Sequence, residues 1–212
     1  LGNNERDHPW LDEGLNSFDE LRYMRKKYPN YNMLLSTLPK QIIKMFDLED
    51  YSNKQMVGEL GYMLKAWIAK DQPIELTSAE YTPGNYGIIV YMKSAIVFDY
   101  LMAYLGEPLF DKCMKSYYEK WKFRHPQPKD LKETFENKTG KNLSWFFDNM
   151  ITTTNQLDYS IHDIKKEGNN LYITLKNNGN IPGPVIISGV KDGNNDHELW
   201  IEGFEGKKII QY

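Results

Sequence analysis

The chain has 212 residues, 41% of them hydrophobic and 14% aromatic, which supports one large core or two small ones and excludes a disordered segment. The formal charge is -3 with both signs interspersed. No basic face for nucleic acid is therefore expected, and the run RYMRKK at 22–27 suits the C-terminal end of a helix dipole instead. A single cysteine, Cys113, excludes an intrachain disulfide and a thiolate zinc site.

Residues 10 to about 155 read as helical. The first helix is expected from Trp10 to about Lys27, with Leu11, Leu15, Phe18 and Leu21 recurring at helical spacing. Pro29 stops it. A second helix is expected over 53–70, with Met56, Leu60, Met63, Leu64 and Trp67 on one side. Residues 71–85, rich in Pro and Gly, read as a long ordered loop. The segment 86–105, YGIIVYMKSAIVFDYLMAYL, is apolar nearly all round, as in a helix buried inside a bundle. Gly106 ends it. No stretch approaches the ~20 apolar residues of a membrane span, and no signal peptide is expected. A further helix covers about 107–122. Another starts at Asp130 as N-cap with Glu133 three residues on, and closes at Gly140. A short helix follows over 143–151.

Beyond 155 the pattern changes. YSIHDI, NLYITLKN, PVIISGV, HELWIEG and KKIIQY are alternating or β-branched runs separated by Gly, Asn and Pro at the spacing of a β-sandwich. Five strands are few for a closed one. The fold class expected is α+β with two domains, residues 1–155 helical and residues 156–212 a partial β-sandwich.

Of the four histidines, His8, His125, His162 and His197, no two lie three or four residues apart. No HExxH, nucleophile elbow, P-loop or dinucleotide fingerprint occurs, and no nucleophile stands out. What remains is a set of acids and tyrosines. Glu13 sits just after Trp10 on the opening turns of a helix, close to its apolar side, where an ionised carboxylate needs a cation, several donors or a metal. Glu20 is two turns further on, so the two acids share a face. Tyr86 and Tyr91 lie in or at the mouth of the apolar helix. Composition and spacing alone favour reading Glu13 as an exposed first-turn acid suited to the helix dipole, and Tyr91 as a core aromatic with its hydroxyl bonded to backbone.

Three stretches resemble one family in its own order. HPWLDEGLNSFDE (8–20) looks like the WLNEGFAxYxE segment of the gluzincin aminopeptidases, the family of aminopeptidase N and leukotriene hydrolase. VYMKSAIVFDYLMAYLGEPLF (90–110) resembles its YxKGAxVLxxLxxxLGExxF, and DLKETFENKTGKNLSWFFDNMI (130–151) its acidic helix followed by GxxLxWFFxxW. Ser94, Asp12 and Met150 depart from the usual Gly, Asn and Trp.

The resemblance implies the helical part of a thermolysin-like catalytic domain followed by a small β domain. It implies zinc held by the two histidines of an HExxH motif and a later glutamate, which Glu13 matches. The histidines are expected upstream of Leu1, so the parent would be a zinc aminopeptidase acting on peptides while these residues alone hold no zinc and cleave nothing. Glu20 matches an acid that orients a zinc-bound histidine. Tyr91 matches the tyrosine that donates to the oxyanion of the tetrahedral intermediate, and Tyr86 a pocket-lining neighbour. Gly14 is expected where two backbones approach closely. Without the histidine helix, Leu11, Leu15 and Phe18 are expected to form an uncovered face inviting self-association. Two alternatives stand beside this reading: a scaffold or binding module that keeps the fold without the site, and a hydrolase using Glu13 and Glu20 as a carboxylate pair. The compartment is open, with a lean towards a bacterial periplasmic or secreted setting.

Overall fold

The computed structural model describes residues 2–29, 39–45, 61–191 and 194–212. They form two compact units. One comprises Leu1–Lys141 with Ile151–Thr153, the other Asn142–Met150 with Thr154–Tyr212. The first is helical and the second carries all the described strands, an α+β composition.

In the helical unit a 3-10 turn, Pro9–Leu11, leads into α1 (Glu13–Lys27). The turn explains why the helix starts at Glu13 and not Trp10: Pro9 has no amide hydrogen to donate and opens the turn, and the Leu11 and Asp12 amides donate to the carbonyls of His8 and Pro9, three residues back. α1 buries Gly14, Leu15, Ser17, Phe18 and Leu21. α2 (Lys40–Met45) is short. α3 is the helical run 61–67. Met56 and Leu60 lie outside the described residues. Met63, Leu64 and Trp67, expected on one side of this helix, are exposed.

α4 runs from Pro83 to Leu105. It changes register along its length, from a first turn at Pro83–Asn85 through a π-helical stretch, Tyr86–Lys93, to a regular α-helix, Ser94–Leu105. By length and composition it would suffice to cross a membrane, contrary to the sequence reading. Its Ile89, Val90, Phe98 and Leu101 are fully buried, as expected of a core helix. Gly106, at φ 78°, ends it. α5 (Glu107–Trp121) and α6 (Pro128–Thr139) complete the unit. The N-cap of α6 is Gln127, three residues before the expected Asp130. Asp130 instead occupies the third helical position and its carboxylate accepts from the Gln127 amide at 2.7 Å. Pro128 and Pro126 explain the shift: proline is suited to the first helical position, so the helix opens there. Gly140, left-handed at φ 66°, closes the helix as expected.

The core is a row of aromatic rings. Trp10 stacks on Phe98 at 5.9 Å, Phe98 tilts on Phe18 at 6.0 Å, and Phe18 meets Phe110 edge-on at 5.3 Å. Phe110 continues to Phe135 at 5.4 Å. Leu11, Leu15 and Phe18 are thus buried, at 1%, 7% and 0% exposure. The three side chains are not the uncovered face expected from the sequence; Phe18 packs on Phe98 of α4 and Phe110 of α5.

In the strand unit, β1 (Tyr159–Glu167), β2 (Asn170–Asn177) and β5 (Lys207–Gln211) form one antiparallel sheet in the order β1-β2-β5. β3 (Val185–Lys191) pairs with β4 (Asn194–Ile201) in another. Ile173, Leu175, Ile210 and Ile201 form the shared core, with Val185, Ile187 and Leu199 packed against it. A π-helical stretch, Trp145–Met150, belongs to this unit.

Candidate functional site

Glu13 is the first residue of α1 and is partly buried. Behind it, Gly14 lies so close to α4 that a Cβ there would sit 2.6 Å from the Ser94 Cβ and 3.0 Å from the Val90 carbonyl oxygen. Only a glycine permits this approach, so the close contact expected at Gly14 is real and it brings the start of α1 against the π-helical stretch of α4. The Ser94 hydroxyl donates to the Ile89 carbonyl, a turn-widening bond inside the same stretch.

The π register decides which tyrosines meet. Residues five apart lie about 140° around an α-helix but much closer together around a π-helix, whose i→i+5 bonding widens the turn. Tyr86 and Tyr91 are five apart and their rings meet at 6.0 Å, and Tyr81 meets Tyr86 at 5.7 Å. Tyr81, itself buried, donates through its hydroxyl to the Ile74 carbonyl. The row ends at Glu13. Burial, and then the hydrogen bond that Tyr91 donates to the Glu13 carboxylate, push the Tyr91 phenol up to about 12. At any ordinary pH it is therefore a hydroxyl donor.

A second cluster backs this pair. The Glu75 carboxylate lies 2.5 Å from the Nδ1 of His8 through one oxygen and accepts from the indole N–H of Trp10 through the other. His8 Nε2 lies 3.0 Å from the Gln127 side-chain oxygen. Ser78, on the same loop as Glu75, donates its amide to the Arg6 carbonyl and its hydroxyl to the Glu5 carbonyl, both at 2.8 Å. The loop from Ile74 to Ser78 thus holds residues 5–10, the approach to Glu13. Lys93, two residues after Tyr91, is buried and sits 3.5 Å from Asp71, and burial lowers its pKa.

Residues 3–150 match the Peptidase family M1 domain. The chain belongs to peptidase family M1. It is similar to the puromycin-sensitive aminopeptidase of Caenorhabditis elegans, 24% identical over 169 residues, 79% of this chain and 16% of that protein. It is also similar to aminopeptidase M1-B of Oryza sativa subsp. japonica, 26% identical over 196 residues, 92% of this chain and 19% of that one. Among solved structures it resembles Legionella pneumophila aminopeptidase A in complex with aspartic acid, at a TM-score of 0.48 and 18% identity over 62% of this chain and 16% of that one. The chain therefore spans less than a fifth of the length of these two curated relatives.

Family M1 is zinc-dependent in general. Glu13 fits one corner of such a site, as a partly buried carboxylate whose neighbour is a neutral hydroxyl donor. Among the described residues no three His, Cys, Asp or Glu side chains converge, so these residues do not by themselves make a zinc site. His8 is committed to Glu75 and Gln127, and His125 lies 2.8 Å from the Gly2 carbonyl. Of the residues singled out from the sequence, Glu13, Tyr91 and Tyr86 come together, whereas Glu20 lies exposed two turns further along α1. Glu75, Tyr81 and His8 were missed. Glu75 and Tyr81 stand on an irregular loop, where no periodicity marks an inward side chain.

Proposed function

We propose that this M1 chain forms part of the catalytic domain of a zinc aminopeptidase, with residues 1–155 supplying the helical wall of the site and 156–212 the beginning of an incomplete β-sandwich domain. The observation that carries the reading is the close approach of the start of α1, at Gly14, to the stretch of α4 that carries the Tyr86–Tyr91 ring pair, which brings Tyr91 beside Glu13. Glu13 is one of three protein ligands, and the two histidines come from outside these 212 residues. Zinc, when bound, acidifies its water and polarises the scissile carbonyl. Glu13 holds its carboxylate on a helix start anchored by buried Trp10 and Leu11. Tyr91, kept protonated by its surroundings, offers its O–H to the oxygen that becomes negative as water adds to the peptide carbonyl. Tyr86 lines the peptide's path and excludes water from one side of it. Glu20 orients a metal-bound histidine, as its place two turns along α1 allows.

The test is zinc content and aminoacyl-amide hydrolysis of the gene product that carries this chain. Glu13→Ala is expected to lose both zinc and activity. Tyr91→Phe is expected to keep zinc and lose about 10²–10³ in kcat, the usual cost of removing one oxyanion donor. Zinc and activity untouched by Glu13→Ala would overturn the reading. A gene product that binds no zinc and hydrolyses nothing would favour a scaffold that keeps the family fold. Glu20→Gln is expected to reduce zinc affinity without touching stereochemical or glycosidic chemistry, and any glycosidase activity lost with it would point to a carboxylate pair instead.

A further inference from the structure

We propose that Glu75 is a positioning residue that sets Glu13 and Tyr91 at their working separation, an inference resting on the zinc aminopeptidase reading above. Glu75 stands on the loop between α3 and α4, far in sequence from both residues. Its carboxylate reaches the approach to α1 twice, through His8 at 2.5 Å and through the Trp10 indole N–H. Trp10 has no exposed surface and lies three residues before Glu13. A buried indole N–H without an acceptor carries a desolvation penalty, so Glu75 holds the Trp10 turn by the cost of letting go.

From the same point a second chain runs to Tyr91. The carbonyl of Ile74, adjacent to Glu75 and fully buried, accepts from Tyr81. Tyr81 packs edge-on to Tyr86 and Tyr86 to Tyr91. The Glu75 amide is itself fixed, donating to the Ile151 carbonyl at 2.9 Å. Both halves of the candidate site are therefore referred to one short peptide, Ile74–Glu75. A single polar contact between partly exposed groups contributes little on its own; the contact with His8 matters here because the same carboxylate also serves a buried donor.

Glu75→Gln can keep the connection. Its amide oxygen accepts from Trp10, and its NH2 donates to His8 Nδ1 if His8 takes the tautomer that donates from Nε2 to Gln127. Glu75→Ala cannot. The experiment uses the full gene product and compares Glu75→Ala, Glu75→Gln, Trp10→Phe and Glu13→Ala. It reads kcat and KM for an aminoacyl-amide and, separately, the zinc dissociation constant by competition with a chelator. Glu75→Ala is expected to lower kcat about 10- to 100-fold and weaken zinc binding by about tenfold, with KM little changed, the range seen when a group that orients a metal ligand is removed. Glu75→Gln is expected to recover most of both. Trp10→Phe keeps the ring on Phe98 and removes the donor, and is expected to fall between them, which keeps the proposal testable if Glu75→Ala does not fold. Unchanged kcat and zinc affinity in Glu75→Ala and Trp10→Phe, or equal damage from Gln and Ala, would overturn the proposal. Failure of the underlying reading shows elsewhere: Glu13→Ala would then retain zinc, and with no ligand to place, the role of Glu75 falls with it.

Discussion

The two units are held by different kinds of core. The helical unit stacks aromatic rings from Trp10 to Phe135 and, beside them, buries Asn85, Lys93, Ser94 and Asp130. Between its sheets the strand unit buries four aliphatic side chains, its only buried aromatic rings among the described residues being Phe146 and Phe147 of the π-helical stretch, and β1 is exposed along nearly its whole length, Ile161 and Ile164 included. Buried polar groups mostly find partners, and in this unit the buried Trp10 indole and Tyr81 hydroxyl find theirs on the Ile74–Glu75 peptide. An aliphatic core requires only volume and places no functional group. The candidate site therefore lies in the unit whose interior is harder to satisfy.

The strongest way to break this comparison is to empty each core. Phe98 touches both Trp10 and Phe18, so Phe98→Ala is expected to cost about 3–5 kcal/mol in chemical denaturation and to loosen the Trp10 turn as well. Leu175→Ala in the strand unit, buried to 3% exposure, is expected to cost about 2–4 kcal/mol and to leave any zinc affinity of the gene product unchanged. Equal loss of zinc from both would mean that the site does not depend on the helical core in particular. Gly14→Ala comes next. Its methyl group meets backbone-fixed atoms at 2.6 and 3.0 Å, and the expected cost is about 3 kcal/mol, by overpacking of two helices that have no room to part. A variant as stable as the parent would show that α1 and α4 are not locked at this point.

The smallest effect is on the pH dependence. Tyr81, Tyr91 and Tyr117 all have phenols raised by burial. A group whose pKa is higher in the folded state than its unfolded value, near 10 for tyrosine, contributes stability that is complete below that value. The contribution is lost as pH rises through the folded value, about 12 for Tyr91. Stability is therefore expected to hold up to about pH 10 and to fall steeply above it, with the fall less steep in Tyr117→Phe. Tyr117 is a clean probe because its buried hydroxyl meets no hydrogen-bond partner among the described residues, so at neutral pH the substitution is expected to be neutral or slightly stabilising. An alkaline profile identical in the two proteins would remove Tyr117 from the account.

Much of this protein was legible in the residues themselves. Apolar periodicity located α1, α4 and α5 and the five strands, because period 3.6 and period 2 are properties of the chain before it packs. Gly106 and Gly140 marked helix ends, because a left-handed or otherwise strained backbone needs a residue without Cβ. Family resemblance picked out Glu13, Tyr86 and Tyr91. Tertiary packing decided the rest. It covered Leu11, Leu15 and Phe18, left Glu20 exposed, and moved the cap of α6 from Asp130 to Gln127. It also introduced the π register that brings Tyr86 closer to Tyr91, and it brought Glu75 from an unpatterned loop to the Trp10 turn. Periodicity reports which face of an element is apolar; which partner fills that face, and which distant carboxylate meets a buried N–H, depends on contacts between residues 65 or more positions apart, which no local pattern encodes.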